Sequence, residues 1–401
     1  MERIILHSDC NSFFASVEAS LCPELKKYAF AVCGNPQLRH GIILAKNEKA
    51  KSLGIKTGEA IWQAKQKCPG LILVKPSYRI YEDISQRIFN IYCRYTDLVE
   101  PFGIDECWLD VTGTMHLFGD GKKIADELRK TIKEEIGITI SVGVSFNKFF
   151  AKMGSDYQKP DATTLISKEN YKDILFPMFV GDMLFVGKAT LKRLADNGIF
   201  TIGELANADI RLLSLIFGKY GQVLYLCANG MDTSPVKPST DTHNYKSIGN
   251  GYTFKRDLVC YSDLRTGIFT LCDKVAHRLR KHKVECTSVQ LSIKDTQLHS
   301  IQRQKTLQRP TQISYELILA VLELARDNWV INQSPIRSIT VTGQNLMPQN
   351  TYYEQLSLFY PDEPALREKR KRIERVKDEI RRKYGIKALT MCSLIDNDLG
   401  L

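Results

Sequence analysis

The sequence predicts a multidomain α+β protein, and three observations support this class. The chain has 401 residues, which is too long for one small core and predicts two to four domains. Residues 1–166 run as strand, helix, hairpin, helix and strand, the order of a split β-α-β unit. Residues 176–217 are mostly helical, and residues 245–348 return to mixed helix and strand.

Hydrophobic periodicity predicts each element of the first 166 residues. Residues 1–10 are a buried strand, and in the following helix Phe13, Val17 and Leu21 share one face. The other predicted elements are a helix at Ser12–Leu21, strands at Ala29–Cys33, Gly41–Ala45 and Thr139–Val144, helices at Glu48–Leu53, Tyr81–Tyr95 and Gly121–Ile136, and a hairpin at Asp105-Glu106.

The C-terminal part of the chain is predicted in the same way. Met231–Asn244 is polar, contains Pro and Thr, and is expected to be a linker. The elements expected beyond it are strands at Ser247–Phe254, Val289–Lys294 and Pro335–Thr342 and helices at Lys274–His282, Ile313–Asp327 and Leu366–Tyr384.

Two predicted strand ends carry acids in otherwise apolar surroundings. Asp105 and Glu106 interrupt one apolar segment, and the N-terminal strand ends on Asp9. Adjacent strand residues point to opposite faces, so Asp105 and Glu106 can share a metal site only at a strand end or tight turn. Three carboxylates there would suit Mg²⁺ and displacement at phosphorus. Acids are also common turn residues, so a structural role is the alternative.

Three motifs then occur in order along the chain. Asp9 precedes Cys10-Asn11-Ser12-Phe13-Phe14-Ala15-Ser16-Val17-Glu18, the second motif is Ile104-Asp105-Glu106-Cys107-Trp108-Leu109-Asp110, and the third covers residues 142–156 and ends in Lys159-Pro160. Each motif resembles its counterpart in the Y-family (translesion) DNA polymerases; the second, for example, resembles Ile-Asp-Glu-Ala-Tyr-Leu-Asp. The resemblance covers nearly the whole chain, and the chain is identified as a bacterial-type member of that family.

The resemblance implies a right-hand polymerase with a ferredoxin-like palm, small fingers, a helix-hairpin-helix thumb and an α/β little finger. The implied boundaries are palm 1–10 and 76–166, fingers 11–75, thumb 167–232, linker 233–244, little finger 245–348 and C-terminal tail 349–401. Small fingers would leave an open site that tolerates distorted bases and lowers fidelity.

The resemblance also implies roles for the motif residues. Asp9, Asp105 and Glu106 would be catalytic, and with the backbone carbonyl of Cys10 they would hold two Mg²⁺ ions. Phe14 would act as a steric gate against a 2′-hydroxyl, Phe13 would pack beneath the sugar, and Lys159 would reach the triphosphate. Two core phenylalanines and an ordinary surface lysine are the alternatives.

The segment expected to hold the triphosphate departs from the family pattern. The family has a Ser or Thr, then Tyr and Arg, where this chain has Ala45, Glu48 and Lys51. Lysine supplies charge but not the planar fork of arginine. We expect Glu48 to face away, paired with Lys51 or Lys56, and phosphate contacts to move to Lys46 or Lys51. Nucleotide affinity is expected to be weak.

Residues 176–217 resemble paired helix-hairpin-helix units, which direct backbone N–H groups at phosphates without reading bases. The usual Pro-Gly-x-Gly hairpin is here Leu184-Phe185-Val186-Gly187, so only the second glycine remains. A plain helical subdomain is the alternative. The expected DNA contacts are Gly187, Lys188, Lys192 and Arg193.

Two features stand near the C-terminus. Gln355-Leu356-Ser357-Leu358-Phe359 resembles the pentapeptide that binds the bacterial sliding clamp, with an edge strand as the alternative. Gln355, Leu356, Leu358 and Phe359 are the expected clamp contacts. The next helix has ten Lys and Arg against four acids between Arg367 and Lys383. It is expected to dock on the body or a partner, or to present a solvated charged face. Its apolar stripe consists of Leu366, Ile373, Val376, Ile380 and Tyr384.

Composition limits the class of protein. The net charge is +11, and residues 241–401 hold 26 basic against 18 acidic groups, whereas the first 240 hold 30 against 27. This excess favours a polyanion bound mainly by the C-terminal part. No apolar run reaches membrane-spanning length, and no signal peptide is expected. Eleven scattered cysteines without a C-x-x-C pair favour a reducing cytoplasm.

The sequence thus predicts a low-fidelity, template-directed DNA polymerase for translesion synthesis and repair. Its expected partners are primer-template DNA, dNTPs, the sliding clamp and SOS accessory proteins, with no membrane. One alternative is a weakly catalytic or non-catalytic family member that binds DNA and the clamp, which the altered fingers segment motivates. The other is a palm-fold nucleotidyl cyclase, against which the thumb-like region and the pentapeptide argue.

Overall fold

The structure, a computed structural model, describes residues 2–36, 41–241, 245–331, 333–349, 351, 363–390, 392–395 and 397–401. The chain divides into two compact units, an N-terminal unit (Met1–Thr242) and a C-terminal unit (His243–Leu401). Both combine helices with β-sheet, so the predicted multidomain α+β class is confirmed. The finer division into palm, fingers, thumb and little finger stays a prediction.

Eight strands of the N-terminal unit form two sheets. They are β1 (Ile5–Cys10), β2 (Phe30–Cys33), β3 (Ile43–Lys46), β4 (Ile72–Val74), β5 (Val99–Pro101), β6 (Glu106–Asp110), β7 (Ile140–Ser145) and β8 (Thr163–Ile166). The larger sheet has the order β5-β6-β1-β7-β8, and the smaller has the order β3-β2-β4. The central strand β1 is antiparallel to both neighbours and is buried along its full length.

Twelve α-helices accompany these strands in the described part of this unit. They are α1 (Phe13–Leu21), α2 (Glu48–Ser52), α3 (Ile61–Lys67), α4 (Tyr78–Tyr92), α5 (Met115–Phe118), α6 (Gly121–Ile136), α7 (Lys148–Tyr157), α8 (Tyr171–Leu175), α9 (Lys188–Ala195), α10 (Ile202–Asn207), α11 (Ile210–Phe217) and α12 (Lys219–Ala228). The predicted bounds of α6 are confirmed at both ends. Asp120 caps its first turn through Lys123 N, and Gly137 ends it in the left-handed region.

One face of the larger sheet is covered by helices that form an apolar core with it. Helices α4 and α6 pack on one face with apolar residues at helical spacing, including Ile84, Ile88 and Ile91 of α4. On α1, Phe13 and Val17 join this core as predicted, but Leu21 is 54% exposed, so the third member of the predicted face is wrong. Leu21 is the last residue of α1.

The first part of the predicted linker packs against the N-terminal unit. Val236 is buried beside Ile5 and Trp108. The Lys237 amide donates to Glu100 Oε2 at 2.9 Å, and the Ser239 amide donates to the Asp97 carbonyl at 2.8 Å. Residues up to 239 are therefore fixed by backbone hydrogen bonds and burial, although their polar composition predicted a free connection.

The C-terminal unit has one antiparallel sheet in the order β11-β10-β12-β9. Its elements are β9 (Ser247–Leu258), α13 (Tyr261–Lys281), β10 (Val284–Asp295), β11 (Ser300–Thr311), α14 (Ser314–Asn328), β12 (Ile336–Pro348) and α15 (Glu363–Tyr384). Helices α13 and α14 supply most of its core, to which Leu399 near the C-terminus also belongs. Strand β11 was not predicted, because it is an edge strand with mostly polar, exposed residues and little apolar alternation.

Helix α15 docks on the C-terminal unit through charged groups. Asp273 of α13 binds Lys377 Nζ at 2.5 Å and Arg381 Nη1 at 2.7 Å, and Arg280 binds Glu374 at 3.1 Å and Asp378 at 2.6 Å. In the apolar stripe, Leu366, Ile373, Val376 and Tyr384 are 50–67% exposed, so α15 docks on the body, as one of the expectations had it, without using this stripe. Asp273 of α13 pairs with basic residues of α15 and Arg280 of α13 pairs with its acids, and this charge complementarity decides which face of α15 is buried.

Candidate active site

A cavity of about 530 Å³ opens at the ends of β1 and β6 in the N-terminal unit. Its walls come from the larger sheet, from α1 and α7, and from β3 with the loop before α3. The lining residues are Asp9, Cys10, Ser12, Phe13, Phe14, Leu44, Ala45, Lys46, Lys51, Thr57, Ile104, Asp105, Glu106, Lys152, Asp156 and Lys159. All three motifs of the sequence contribute to this one cavity.

The three predicted acids meet at one edge of the larger sheet. Strands β1 and β6 pair so that Asp9 lies opposite Glu106, and the Cys10 amide donates to the Asp105 carbonyl at 3.1 Å. Asp105 directly precedes β6, after a turn in which Gly103 has a φ of 102°. The expectation that Asp105 and Glu106 share a site only at a strand end agrees with this placement.

Two lysines of the third motif bridge the acids. Lys152 Nζ lies 3.0 Å from Asp9, 3.1 Å from Glu106 and 3.1 Å from Asp156. Lys159 Nζ lies 2.7 Å from Asp9 and from Asp156. Burial would lower the pKa of each lysine, but the neighbouring carboxylates outweigh burial and raise it, so both lysines are cations at neutral pH.

His7 supports this edge from beneath and was not singled out in the sequence. Its ring is fully buried, with Nδ1 2.9 Å from Ser155 Oγ and Nε2 3.3 Å from Glu106 Oε2. The ring also meets the edge of Trp108 at 5.1 Å between centroids. Burial lowers the pKa of His7 despite Glu106, so the imidazole is neutral at pH 7. His7 could have been found from the sequence by its position two residues before Asp9 on the same strand, because the two side chains then point to the same face of the sheet.

The pKa values of Asp105 and Glu106 are shifted in opposite directions. Burial, and then the charges of Asp9 and Glu106, raise the pKa of Asp105 to about 6. For Glu106, burial is outweighed by His7 and Lys152, and its pKa falls to about 2. Asp105 therefore sits in a field with an excess of negative charge, which a bound cation would relieve.

The donor set suits a hard divalent cation. Glu106 Oε2 is buried with the Lys152 ammonium at 3.1 Å and His7 Nε2 at 3.3 Å, and Asp9 and Asp105 line the same cavity. Among the described residues, however, no three His, Cys, Asp or Glu side chains converge closely enough to form a metal cage. The lysine bridges account for this spacing, since each holds carboxylates apart around an ammonium.

Cys10 lies between Asp9 and Asn11 with a buried side chain. Burial, together with the nearby charge of Asp105, raises the pKa of its thiol well above the ordinary value. The thiol is therefore protonated at neutral pH and is a poor metal ligand. Only the backbone carbonyl of Cys10 remains as the oxygen that the sequence interpretation assigned to the site.

The two adjacent phenylalanines both line the cavity but differ in burial. Phe13 is 3% exposed and packs in the core of the larger sheet. Phe14 is half-buried and stacks on Tyr81 with a centroid distance of 4.3 Å and an interplanar angle of 14°. Tyr78 meets the Phe14 ring edge-on at 6.0 Å. The ring of Phe14 is therefore fixed by two aromatic neighbours at the cavity wall.

The altered fingers segment forms one wall of the cavity. Lys51 Nζ lies 3.7 Å from Glu48 Oε2, and both side chains are more than half exposed. Glu48 is not part of the cavity wall, whereas Ala45, Lys46 and Lys51 are. The expectation that Glu48 faces away and pairs with Lys51 is confirmed.

The predicted thumb contacts lie together on α9. Gly187 is the N-cap residue of α9 and makes no side-chain cap, and Lys188, Lys192 and Arg193 are exposed on the same helix. The preceding loop bends at Phe185, whose φ is 72° and whose carbonyl accepts from Tyr220 OH at 2.6 Å. Lys188 lies in the first turn of α9 and Lys192 and Arg193 lie in its last turn, and their contact with phosphates stays a prediction. The pentapeptide residues Gln355, Leu356, Leu358 and Phe359 lie outside the described residues.

Known proteins match this chain over nearly its whole length. Residues 8–156 match the impB/mucB/samB family, and residues 245–358 match the C-terminal domain of that family. The chain is 44% identical to DNA polymerase IV of Acetivibrio thermocellus, with 96% of both chains covered. It is 36% identical to DNA polymerase IV 1 of Bacillus subtilis, with 96% of this chain and 92% of that protein covered.

The fold is also that of a solved protein. A Y-family DNA polymerase chimera superposes with a TM-score of 0.76 at 25% identity, over 86% of this chain and all of the chimera. Family motifs, full-length relatives and fold thus agree with the acids and lysines gathered at the edge of β1 and β6. The chain belongs to the impB/mucB/samB family, the Y-family DNA polymerases that include DNA polymerase IV.

Proposed function

We propose that this protein is a template-directed translesion DNA polymerase that joins a dNTP to a primer 3′-hydroxyl and releases pyrophosphate. The observation that carries the proposal is the meeting of Asp9, Asp105 and Glu106 at one sheet edge, in a cavity also lined by Lys159. Phosphoryl transfer needs positioning and charge stabilisation more than a protein nucleophile. This cavity offers both signs of charge within a few ångströms.

The cofactor we propose is a pair of Mg²⁺ ions held by Asp9, Asp105, Glu106 and the carbonyl of Cys10. When bound, the two ions lower the pKa of the 3′-hydroxyl and neutralise charge on the leaving pyrophosphate. The raised pKa of Asp105, about 6, is the electrostatic support, because burial and two neighbouring acids favour an added cation there. Lys159 contributes a flexible cation that can exchange Asp9 and Asp156 for a phosphate oxygen.

The remaining residues would orient the substrates. Phe14 would lie against the sugar C2′ and exclude ribonucleotides, and Phe13 would support it from the core. Gly187, Lys188, Lys192 and Arg193 would hold the duplex backbone without reading bases. The basic excess of residues 241–401 supports primer-template DNA as the ligand of the C-terminal unit.

Further partners and the location follow from the family rather than from this geometry. We propose the sliding clamp as the partner of Gln355-Leu356-Ser357-Leu358-Phe359, and SOS accessory proteins as regulators. None of the eleven cysteines forms a disulfide, which supports a reducing cytoplasm. No described helix is long and apolar enough to cross a bilayer.

The altered fingers segment favours a second candidate, a weakly catalytic member that binds DNA and the clamp. Primer extension with Mg²⁺ and dNTPs, on an undamaged and an abasic template, separates the two. We expect the wild type to extend both primers and the Asp105→Ala/Glu106→Ala variant to extend neither while it still binds DNA. No extension by wild type, even with the clamp added, would favour the second candidate.

A further inference from the structure

The loss of the family's hydroxyl, phenol and arginine at Ala45, Glu48 and Lys51 leaves the incoming triphosphate with few contacts on the fingers side. Lys46 ends strand β3, and its half-buried side chain lines the cavity. Its Nζ donates to Thr57 Oγ1 at 3.0 Å. Thr57 lines the same cavity from the loop between α2 and α3.

The backbone on both sides of this pair is fixed. Lys46 pairs with Ala31 in the smaller sheet. The Asn47 side chain accepts from the amides of Ala50 and Phe30 and donates to the Tyr28 carbonyl. These three hydrogen bonds fix the backbone directly after Lys46. On the other side, the Gly58 amide donates to the Ile43 carbonyl at 2.8 Å, which anchors the residue after Thr57 to β3. The lysine and the threonine are thus presented by a rigid frame.

The charge around Lys46 distinguishes it from the other lysines of the cavity. Lys152 and Lys159 bind carboxylates directly, and Lys51 has Glu48 at 3.7 Å. Lys46 makes no ion pair with a carboxylate of the described residues and has Thr57 as its hydrogen-bond partner. Burial and the charge of Lys51 lower the pKa of Lys46. An anion bound between Lys46 and Lys51 would stabilise the charged form of Lys46.

We infer that Lys46, oriented by Thr57, binds the phosphates of the incoming nucleotide and replaces the contacts that Ala45 and Glu48 no longer make. The inference rests on the proposed polymerase function and adds a residue to its nucleotide site. A lysine is a point charge on a flexible stem, so it suits a phosphate whose position the metal and Lys159 also determine. The Thr57 hydroxyl limits that flexibility before the nucleotide arrives.

The test compares Lys46→Ala and Thr57→Val with Lys49→Ala. Lys49 is a matched control, because it lies in the adjacent helix α2 but its Nζ donates to the Lys27 carbonyl and does not line the cavity. Single-nucleotide insertion gives kcat and KM for dNTP, and dNTP binding to a complex with a dideoxy-terminated primer gives affinity without turnover. For Lys46→Ala we expect KM and the dissociation constant to rise about 10- to 100-fold, the loss of one charge-assisted hydrogen bond, with kcat little changed.

Lys46→Arg should restore most of the affinity, and Thr57→Val should raise KM by a smaller factor. DNA affinity and Lys49→Ala should stay at the wild-type level. An unchanged dNTP affinity in Lys46→Ala, or an equal rise in Lys49→Ala, would overturn the assignment while wild-type extension still supports the polymerase. An absence of extension in wild type counts against the proposed function, and dNTP binding to the dideoxy complex then still decides on Lys46.

Discussion

At the scale of single residues, the position of Phe14 at the cavity wall allows the steric-gate proposal to be tested. Phe14 is half-buried at the cavity wall and stacks on Tyr81, whereas Phe13 is buried in the core. Phe14→Ala opens space beside the sugar, so we expect ribonucleotide insertion to increase at least tenfold relative to deoxynucleotide insertion. The measurement is the ratio of kcat/KM for a matched rNTP and dNTP.

Phe30→Leu serves as the comparison for that ratio, because Phe30 is fully buried against Ala15 and Ala19 of α1 and does not line the cavity. The substitution removes a core ring and is expected to destabilise the unit by about 1–3 kcal/mol, without changing the ratio. Unchanged sugar selection in Phe14→Ala, or an equal change in both variants, would refute the steric-gate role.

A second prediction at this scale concerns the effect of the buried His7 on metal binding. His7 is fully buried, with Nδ1 2.9 Å from Ser155 Oγ and Nε2 3.3 Å from Glu106 Oε2, while the Ser155 hydroxyl donates to the Lys152 carbonyl. His7→Leu leaves Glu106 without that partner, so we expect a higher Mg²⁺ concentration for half-maximal extension and weaker Mn²⁺ binding measured by electron paramagnetic resonance.

Ser145→Ala is the control for His7→Leu. Ser145 is another buried serine of the same sheet, but its hydroxyl donates to the Ile166 carbonyl and does not contact His7. A loss of thermal stability in His7→Leu with unchanged Mn²⁺ affinity would show that His7 is only a core residue.

At the scale of elements, α15 is held by buried charge. Asp273, whose side chain is 8% exposed, binds both Lys377 and Arg381. Removing one partner of a buried ion pair costs about 3–5 kcal/mol, because the other charge stays buried. We therefore expect Asp273→Ala to release α15, seen as faster amide hydrogen exchange across Glu363–Tyr384 but not across α14. Unchanged protection of α15 would contradict this account of the docking.

The same contacts predict how docking depends on pH. For Asp273, burial is outweighed by Lys377 and Arg381, and for Asp378 it is outweighed by Arg280 and His277, so both folded-state pKa values are lowered. A lowered folded-state pKa adds stability above the unfolded-state pKa, and that stability disappears as the pH falls through the folded-state value. The protection factors of α15 against hydrogen exchange should therefore be unchanged from pH 8 to 6 and should fall, relative to those of α14, as the pH falls below about 4.

At the scale of the whole molecule, each unit has its own apolar core. The C-terminal unit buries residues of α13, α14 and its sheet, and its basic excess suits DNA. We expect residues 245–401, expressed alone, to unfold cooperatively and to bind duplex DNA with an affinity that falls steeply with salt concentration. Residues 1–241 should show a smaller salt dependence, since their charges are nearly balanced. A piece that does not fold cooperatively would contradict the independence of the two cores.

Hydrophobic periodicity in the sequence was sufficient to predict many of the helices and strands. Helix α6 has the predicted bounds, and β1 and α14 begin and end within a few residues of the predicted ones, because the apolar faces of the two helices match one buried side and β1 is buried along its full length. Strand β11 and the docked face of α15 could not be predicted in this way. Strand β11 is stabilised by backbone pairing with the preceding strand β10, and α15 by ion pairs with α13; local apolar periodicity reports neither kind of contact.

The sequence by itself determined the family and the residues of the three motifs, because ordered motifs identify a chemistry without coordinates. Only the tertiary structure placed Asp9 opposite Glu106, put His7 beneath Glu106 and turned Glu48 out of the cavity while Lys46 stayed in its wall. The reason is that strand register and side-chain direction depend on contacts between distant segments, so a residue type can be read locally but its neighbours cannot.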